Sequence, residues 1–535
     1  MKTLNKNKED SLDCLIIGGG ISGIAMAYQA KMHNIKYKLV DKEDSYGGVW
    51  YQNNYPKLST DSVEPLYNYK VDVPAFGSLS TGAKSPEQVR EYLGNFIRKF
   101  DLESDFHYST KVESSSYNGT NYITNTTNGV FHSKYLVIAV GINGLDGVNT
   151  QKIPQFQRLD EFQGQVIHSS DLSGNYDVVG KNVCVIGNGP TSIQLVESFA
   201  PQAEHLTQIC RTPRQIMKKP SFDKICELLE RFSIDRNDDE AIFNFLDNFF
   251  HTHVFTGFSE ENKQLKLAYG DMLSSNNEDM YHSLFPLTES EHEFVNYMKE
   301  RDLAPEWKSG YTNLRQLFID TYDQEVLRDN VDLVKSQGID HFTPEGIVTK
   351  EGEEINCNLV VCATGSTKIV DFPHFHLYDK NGEALSGDAE KISENYWGIM
   401  NKNYPNMFYL LGPGCAGVQN VPPLVEVQSK VIAEIVVASE LQNAKSITIN
   451  EEKFNSYHED QVMKMNKLKE LQASEDNFGD MNNHQYHNGL NLHEFIGGTL
   501  EYRNQLESFS NENDIISVMG LDVESYDSYD GCSIF

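Results

Sequence analysis

The chain has 535 residues, which is too long for one ordinary domain and predicts two or three. Its formal net charge of −32 argues against binding to nucleic acid or to an anionic membrane surface. No run of about 18 apolar residues is present, and the polar first residues do not resemble a secretory signal. The eight cysteines include no C-x-x-C pair, so no metal site is expected and a cytoplasmic location is predicted.

The first predicted elements are a short apolar strand at residues 15–17, a Gly-rich turn and a helix. Gly18, Gly20 and Gly23 have the spacing G-x-G-x-x-G. In such a turn the first glycine allows the tight bend, the second admits a pyrophosphate, and the third lets the helix pack closely. The next strand ends at Asp41, whose carboxylate can bind a ribose hydroxyl. This context favours a dinucleotide site over a tight turn without a ligand.

The segment after Asp41 contains two glycines, of which Gly48 is the second, directly before Val49 and Trp50. This pattern suits a loop that approaches a flat ring closely, although it is also typical of an ordinary loop. Ser85 then begins a predicted helix with a capping-box pattern. Short alternating strands and a buried strand ending in Gly141 complete the first unit.

A second Gly-rich turn follows the predicted strand at residues 183–186. Gly187 and Gly189 keep the first two glycines of the pattern, whereas Ser192 replaces the third. Ser192 reduces the room for helix packing but leaves the phosphate end of the loop in place. The sequence therefore predicts a second dinucleotide unit.

Arg211 and Thr212 follow the next predicted strand, at the place where the first unit has Asp41. An acidic residue suits a free ribose hydroxyl, whereas an arginine suits a 2′-phosphate. We therefore expect the first unit to hold FAD and the second to hold NADPH. The alternative for Arg211 is a surface arginine in a turn.

The rest of the chain changes character twice. From about residue 220 to 310 it is acidic, aromatic and helical in period, which indicates an inserted helical subdomain. Strands then return, and Ala363, Thr364 and Gly365 repeat the strand-then-glycine ending of the first unit. The last 30 residues are acidic and rich in Ser, Asn and Tyr, which predicts a mobile tail.

The predicted fold class is α/β, with two Rossmann-like dinucleotide-binding domains, for FAD and NADPH, and an inserted helical subdomain. The predicted limits are 1–145 and 359–505 for the two parts of the FAD-binding domain, 146–215 and 313–358 for the two parts of the NADPH-binding domain, 216–312 for the helical insert and 506–535 for the acidic tail.

Two such units predict that NADPH reduces FAD, and the reduced flavin must then pass its electrons on. A disulfide reductase needs a redox-active cysteine pair beside the flavin, and no C-x₄-C lies in the first helix region. Cys357 and Cys362 have that spacing but span a hairpin and a strand, where core packing is expected. Oxygen is therefore the favoured acceptor.

The motifs together resemble those of the class B flavin monooxygenases, and most of all the Baeyer–Villiger monooxygenases, over residues 12–505. The resemblance rests on the two Gly-rich turns, Gly47-Gly48-x-Trp50, Tyr55-Pro56 with Asp61, Arg211-Thr212-Pro213, Ala363-Thr364-Gly365 and Gly497-Gly498-Thr499-x-Glu501-Tyr502-Arg503. It also implies that Asp61 contributes to the cofactor site.

The resemblance implies two catalytic residues. The family's active-site aspartate falls on Asp61, where amine- and sulfide-oxidising relatives usually have Asn. The family's arginine, which precedes a tyrosine and an Arg-Asp-Asn-Val segment, falls on Arg315. By similarity, Arg315 would stabilise the negative charge of the activated oxygen and of the substrate oxygen, and Asp61 would orient Arg315. From spacing alone, Arg315 would be assigned to a helix-surface salt bridge.

Two positions depart from the family pattern. Leu172 stands where one branch has Trp and another has Tyr or Phe, which leaves room for N- or S-oxygenation. Leu314 stands where many Baeyer–Villiger enzymes have Lys, a second contact to the 2′-phosphate, so the preference for NADPH rests on Arg211.

The resemblance implies a monooxygenase that uses FAD, NADPH and O₂ to insert one oxygen beside a ketone carbonyl, giving an ester or lactone. The alternatives are an N- or S-oxygenase that acts on amines or sulfides, and an NADPH-dependent flavin reductase or oxidase that oxygenates nothing. The sequence leaves the individual substrate and the oligomeric state open.

Overall fold

The computed structural model describes residues 12–60, 62, 64–75, 83–141, 153–172, 174–211, 216–253, 288–303, 317–365, 373–385, 388–415, 420–473, 499–510 and 514–526. Its strands are β1 (Leu12–Ile17), β2 (Tyr37–Val40), β3 (Phe106–His107), β4 (Val112–Tyr117), β5 (Tyr122–Thr126), β6 (Gly129–Ile138), β7 (Gln165–His168), β8 (Asn182–Ile186), β9 (His205–Cys210), β10 (Ile216–Lys218), β11 (Leu317–Ile319), β12 (Val331–Lys335), β13 (Ile339–Thr343), β14 (Gly346–Thr349), β15 (Glu354–Asn356), β16 (Leu359–Cys362), β17 (His376–Tyr378), β18 (Asn395–Tyr396), β19 (Met400–Asn401), β20 (Met407–Tyr409), β21 (Ala444–Ile449) and β22 (Leu521–Ser525).

The α-helices in the same part of the chain are α1 (Ile21–Met32), α2 (Val49–Gln52), α3 (Pro86–Lys99), α4 (Pro190–Phe199), α5 (Phe222–Arg231), α6 (Asp239–His253), α7 (Glu289–Glu300), α8 (Tyr322–Glu325), α9 (Ala389–Ser393), α10 (Val421–Leu441), α11 (Glu451–Ala473), α12 (Thr499–Ser510) and α13 (Ile515–Val518). The predicted capping box is confirmed, because Ser85 Oγ accepts the backbone N–H of Gln88 at the start of α3.

The first Gly-rich turn follows β1, a strand of the first sheet. Strand β1 lies in the middle of this sheet, parallel to β2 on one side and to β6 on the other. Strand β6 serves two purposes, because its first half closes an antiparallel meander with β4 and β5, and its second half pairs in parallel with β1 and β20. The buried run of β1 (burial on five of its six residues) agrees with a central parallel strand that is covered on both faces.

The second sheet is parallel throughout and has the order β12-β9-β8-β16-β7. Its position corrects one predicted domain limit. Strand β16 lies between β8 and β7 and is buried along its whole length, so residues 359–362 belong to the second unit rather than to the FAD-binding domain. A local pattern of apolar residues shows that a strand exists but not which sheet takes it.

The predicted helical insert divides into two parts. Helices α5 and α6 pack on each other through their own apolar cluster, which includes Leu229, Phe243 and Phe250. Helix α7 instead contributes Phe294 and Met298 to the core of the second unit. The predicted insert at 216–312 therefore extends too far, because α7 covers the second sheet. The remaining domain limits stay predictions.

The predicted mobile tail is wrong for residues 514–526. Ile515, Ile516 and Met519 are buried in the core that also contains α10, and β22 pairs antiparallel with β21. These apolar side chains anchor an acidic segment whose charged residues face outward, and composition alone does not reveal that anchoring. The α/β fold class with two dinucleotide units agrees with these two sheets. Among the described residues, no helix is both long enough and apolar enough to span a membrane.

Candidate active site

The first Gly-rich turn is held by the backbone of the neighbouring strand. Gly18 has φ +113°, and a Cβ there would lie 2.4 Å from the carbonyl oxygen of Ala139. A Cβ on Gly23 would lie 1.8 Å from the carbonyl oxygen of Gly18. Both positions therefore require glycine for the turn itself, whatever ligand the turn binds.

Gly20 and Gly48 bring two loops into close approach. A Cβ on Gly20 would lie 3.4 Å from the Cα of Gly48, and a Cβ on Gly48 would lie 3.0 Å from the Cα of Gly20. Helix α1 begins after Gly20 without a side-chain cap and without an acidic residue in its first turn. The N–H groups of this helix start are thus available to an anion, which fits the pyrophosphate of a dinucleotide.

Asp41 lies beside this turn. Its carboxylate accepts the backbone N–H of Glu43 at 2.8 Å and that of Gly19. Burial raises the pKa of Asp41, while these two N–H groups act in the opposite direction. A carboxylate fixed beside the glycines fits the ribose hydroxyls predicted from the sequence.

The second turn repeats the backbone geometry of the first. Gly187 has φ +137°, and a Cβ there would lie 2.4 Å from the carbonyl oxygen of Ala363. The N–H of Gly187 donates to Ile209 O at 3.0 Å, as that of Gly18 donates to Val40 O at 2.8 Å. The two units are therefore built alike around their first glycines.

The second loop leaves room at its middle glycine. In the part of the chain that the structure describes, no atom beyond the neighbouring residues lies within 4 Å of the place where a Cβ on Gly189 would be. Ser192 is fully buried, and its hydroxyl donates to the carbonyl of Gly189 at 2.7 Å. Ser192 thus stabilises the loop from inside, and the open space over Gly189, at the uncapped start of α4, fits a pyrophosphate.

Arg211 is exposed and is the first residue after β9, as Asp41 is the first residue after β2. The strand registers differ by one position, because Ile17 lies opposite Val40 while Ile186 lies opposite Ile209. Buried Cys210 therefore occupies the register position of Asp41, and Arg211 comes one residue later. Thr212 lies outside the described residues.

The chain after β16, at residues 363–365, lies next to the second Gly-rich turn and contacts the end of β7. Gly365 has φ +91°, and its carbonyl is 3.1 Å from Nε2 of His168. Nδ1 of His168 accepts the backbone N–H of Ser170 at 3.2 Å, so Nε2 carries the proton and donates to Gly365. Ala363 and Thr364 lie between this glycine and the core of the second sheet.

The indole N–H of Trp50 is engaged in a hydrogen bond within the protein. Its side chain is buried, and its Nε1 donates to the hydroxyl of Tyr67 at 2.9 Å. The two rings meet edge to face with centroids 5.5 Å apart. Trp50 can therefore offer a cofactor its apolar ring but not its N–H group, and its role in cofactor binding stays a prediction.

Asp61 itself lies outside the described residues, but both of its neighbours are held by hydrogen bonds. The N–H of Thr60 donates to Lys84 O at 2.9 Å, and its Oγ1 accepts the N–H of Lys84 at 2.9 Å. The hydroxyl of Ser62 donates to Oδ1 of Asn420 at 2.9 Å. Thr60, Ser62 and Asn420 are all buried, so the chain enters and leaves position 61 through fixed residues.

Helix α4 connects the two units. The Tyr55 hydroxyl donates to Oε1 of Gln194 at 2.9 Å and lies 3.3 Å from Oγ1 of Thr191. Nε2 of Gln194 donates to the carbonyl of Ser59 at 3.0 Å. The helix that starts at the second Gly-rich turn thus binds the segment leading to Asp61.

Arg315 and Leu314 also lie outside the described residues, and the segment that follows them binds the same helix. Oε1 of Glu197 accepts the backbone N–H groups of Asp320, Thr321 and Tyr322, at 3.0, 2.7 and 2.8 Å. Tyr322 is buried, and its hydroxyl donates to Oε1 of Gln208 at 2.6 Å.

Sequence reasoning missed the polar face of α4. Thr191, Gln194 and Glu197 recur every third residue in a helix whose other residues, apart from two serines, are apolar. Polar residues at that spacing on one side of a buried helix are a usable signal, because each needs a partner on another element.

Comparisons with known proteins fit this geometry. A sequence model of the family described as pyridine nucleotide-disulphide oxidoreductase matches residues 15–224. A cyclohexanone 1,2-monooxygenase from Acinetobacter sp is 26% identical over 478 residues, covering 82% of this chain and 84% of its own. A phenazine N-monooxygenase from Lysobacter antibioticus is 25% identical over 463 residues, covering 80% of this chain and 83% of its own.

Solved structures show the same fold. The crystal structure of cyclohexanone monooxygenase from Rhodococcus sp. Phi1 bound to NADP⁺ matches with a TM-score of 0.72 at 23% identity, covering 97% of this chain and all of that chain. A steroid monooxygenase bound to NADP matches with a TM-score of 0.70 at 22% identity, over 97% of this chain and 100% of that one.

These findings confirm the predicted fold class and the resemblance to the class B flavin monooxygenases. Within that class the likeness includes a Baeyer–Villiger monooxygenase from Pseudooceanicola batsensis, which is 25% identical over 466 residues and covers 81% of this chain and 83% of its own. The branch that the sequence motifs indicated is thus represented among the relatives, as is the N-oxygenating branch.

Proposed function

We propose that this chain is a Baeyer–Villiger monooxygenase. It converts a ketone, O₂, NADPH and a proton into an ester or lactone, NADP⁺ and water, so that one oxygen atom enters the product and the other leaves as water. The observation that carries the proposal is the convergence on α4, where Gln194 holds the segment of Asp61 and Glu197 holds the segment that follows Arg315. Helix α4, which begins at the predicted NADPH loop, therefore contacts a residue shortly before Asp61 and another shortly after Arg315.

FAD and NADPH are the cofactors. The open turn around Gly20 and Asp41 would hold FAD, and the open turn around Gly189 with Arg211 would hold NADPH. When bound, these cofactors would supply the redox chemistry, with NADPH as the reductant and the flavin as the group that activates O₂.

The protein side chains supply electrostatics and orientation. Arg315 would stabilise the negative charge that develops on the oxygens, since a fixed guanidinium acts strongly where water is excluded. Asp61 would orient that guanidinium through a charge-assisted hydrogen bond. The substrate is a small molecule, and we infer a ketone because Asp61 and Arg315 match the ketone-oxidising branch.

The location proposed is the cytoplasm. All cysteines in the described part of the chain are free thiols, and six of the seven are buried. Free thiols and the use of NADPH both fit a reducing compartment.

An N- or S-oxygenase is the second candidate, favoured by Leu172 and by the phenazine N-monooxygenase relative. In the structure Leu172 is buried in the apolar core of the second unit, so an aliphatic residue satisfies that position by packing. The two candidates differ in whether Arg315 is needed.

Replacing Arg315 by Ala tests the proposal. We expect ketone oxidation to fall by about a thousandfold, the upper range for loss of one stabilising donor, while NADPH still reduces the flavin. The matched control is Arg328→Ala, which removes an exposed pair with Glu325 in the same region. Product formation and anaerobic flavin reduction should be measured side by side. Ester or lactone formation that survives Arg315→Ala would refute the role of Arg315.

A further inference from the structure

One lysine contacts described residues that lie close in sequence to both predicted catalytic residues. Strand β10 pairs in parallel with β11, which begins two residues after Arg315. Lys219 follows β10, and its backbone N–H continues the pairing by donating to Ile319 O at 3.1 Å. Its ammonium group donates to the carbonyl of Thr60 at 2.8 Å. Lys219 thus reaches the residue directly before Asp61.

The side chain of Lys219 is nearly enclosed. Its relative exposure is 9%, and the ammonium also pairs with Asp320 at 3.2 Å, whose side chain is 43% exposed. An ammonium group loses hydration when it is buried, so it is retained there only with partners. One of these partners is a backbone carbonyl of another segment, which an ion pair at the surface would not need.

The contact to Thr60 acts on position 61 through the covalent chain. The carbonyl of Thr60 shares a rigid peptide plane with the amide nitrogen of Asp61. The N–H and hydroxyl of Thr60 are already bound to Lys84, so Lys219 fixes the one backbone polar group that remains. The direction in which the chain enters position 61 is therefore set in part by Lys219.

We propose that Lys219 is a positioning residue that joins the Asp61 segment to the Arg315 segment, through its Nζ contact with Thr60 and its backbone contact with Ile319. Its effect on the reaction rests on the proposed function, because Asp61 and Arg315 must act together there. Its effect on the structure does not. A small misplacement of a catalytic group lowers the rate sharply while leaving cofactor binding intact.

The neighbouring lysine provides a matched control. Lys218 pairs with Asp323 of α8 at 2.7 Å, so Lys218→Met removes a positive charge and an ion pair from the same strand end. Lys219→Met removes the ammonium but keeps a side chain of similar length. Lys219→Arg restores a cationic donor. Lys219→Gln, which keeps a neutral N–H donor, replaces Lys219→Met if that variant does not fold.

Two measurements on the FAD-loaded protein test the proposal. The first is amide hydrogen exchange, followed by mass spectrometry, of peptides covering 57–66 and 312–325. We expect Lys219→Met to accelerate exchange in both peptides, Lys218→Met to accelerate it only in the second, and Lys219→Arg to restore the first. The second is the fraction of consumed NADPH that yields oxygenated ketone, which should fall about tenfold in Lys219→Met while anaerobic flavin reduction stays within about twofold.

The possible results distinguish the positioning role of Lys219 from the proposed function of the protein. Equal exchange of the 57–66 peptide in Lys219→Met and Lys218→Met would overturn the positioning role, whatever substrate the enzyme takes. If the wild-type protein oxidises no ketone but the expected exchange pattern is found, the proposed function falls and the positioning role stands. A coupled yield in Lys219→Met that equals that of the wild type would also overturn the role in the reaction.

Discussion

At the scale of single residues, the two cofactor turns obey one rule, in which the first glycine of each meets a backbone carbonyl of the adjacent strand. They differ at the third position. Gly23 has no room for a Cβ, whereas Ser192 fits and donates a hydrogen bond to its own loop. The second loop thus accepts a serine at the third position, where the hydroxyl has the carbonyl of Gly189 as its partner.

Replacing Gly23 by Ala tests this distinction. The added carbon would lie 1.8 Å from the carbonyl oxygen of Gly18, so the phosphate turn must move. We expect the dissociation constant for FAD to rise about 30-fold or more, equivalent to about 2 kcal/mol. Flavin content and FAD titration of the apoprotein measure it. Ala27→Gly, which weakens the same helix without touching the turn, is the control and should retain FAD.

Arg211 is predicted to set the preference for NADPH over NADH. A charge-assisted bond to a 2′-phosphate contributes about 1.5–3 kcal/mol, so Arg211→Ala should lower the ratio of kcat/KM for NADPH to that for NADH by about 10- to 100-fold. Lys181→Ala, at the opposite end of the second sheet, should leave this ratio unchanged. An unchanged ratio in Arg211→Ala would mean that Arg211 is a surface residue of the turn that does not bind the 2′-phosphate.

At the scale of elements, helix α4 connects the second Gly-rich turn to the segments near the two predicted catalytic residues. Its start forms the second Gly-rich turn, and its polar face binds Tyr55, Ser59 and the residues after β11. Polar groups buried in this way are stabilising only when each finds its partner. The helix therefore links the NADPH unit to both predicted catalytic segments.

Glu197 on that face gives a pH-dependent prediction. Burial raises the pKa of Glu197, and the N–H groups of residues 320–322 act against that shift. Because the folded pKa lies above the unfolded one, the protonated form is favoured by folding, and its contribution is lost as pH rises through the folded pKa. Glu197→Gln mimics the protonated form. The free energy of unfolding of Glu197→Gln should therefore improve, relative to that of the wild type, as pH rises above the ordinary pKa of a glutamate, about 4.3.

Glu197→Ala completes this test, since it removes the acceptor altogether. We expect it to lower the free energy of unfolding by about 3 kcal/mol, because buried N–H groups lose their partner. Denaturant titration at several pH values measures both variants. A relative stability of Glu197→Gln that declines with rising pH would contradict the assigned direction of the shift.

The elements that sequence predicted well are those with local signals. The strand before Gly18, the strand and helix around Gly187, and the capping box at Ser85 all depend on residues within one turn or one strand. The assignment of β16 to the second sheet and the burial of Met519 depend on distant partners. Local pattern fixes neither, because pairing is decided by tertiary packing.

The candidate site also combines residues that local sequence patterns reveal with contacts that only the folded structure reveals. Asp41 and the glycines are recognisable from spacing, whereas the bonds of Gln194 to Ser59 and of Lys219 to Thr60 join residues more than a hundred positions apart. Such contacts leave no periodic trace in the sequence. The polar face of α4 is the exception, since its spacing could be read once the helix was assigned.

At the scale of the whole molecule, two dinucleotide units of like construction are joined by hydrogen bonds between the FAD-side segment at 55–60 and α4. The arrangement fits a reaction that needs FAD and NADPH together. The relatives match over most of the chain, which fits a site whose two predicted catalytic residues come from different units.

The most direct test of the central claim is oxygenation of a cyclic ketone under heavy-isotope O₂, with the product analysed by mass spectrometry and NADPH consumption measured in the same sample. We expect a lactone that carries one heavy oxygen atom and forms in step with NADPH oxidation. NADPH consumption that yields only hydrogen peroxide, or labelled oxygen that enters amines or sulfides but never a ketone, would contradict it.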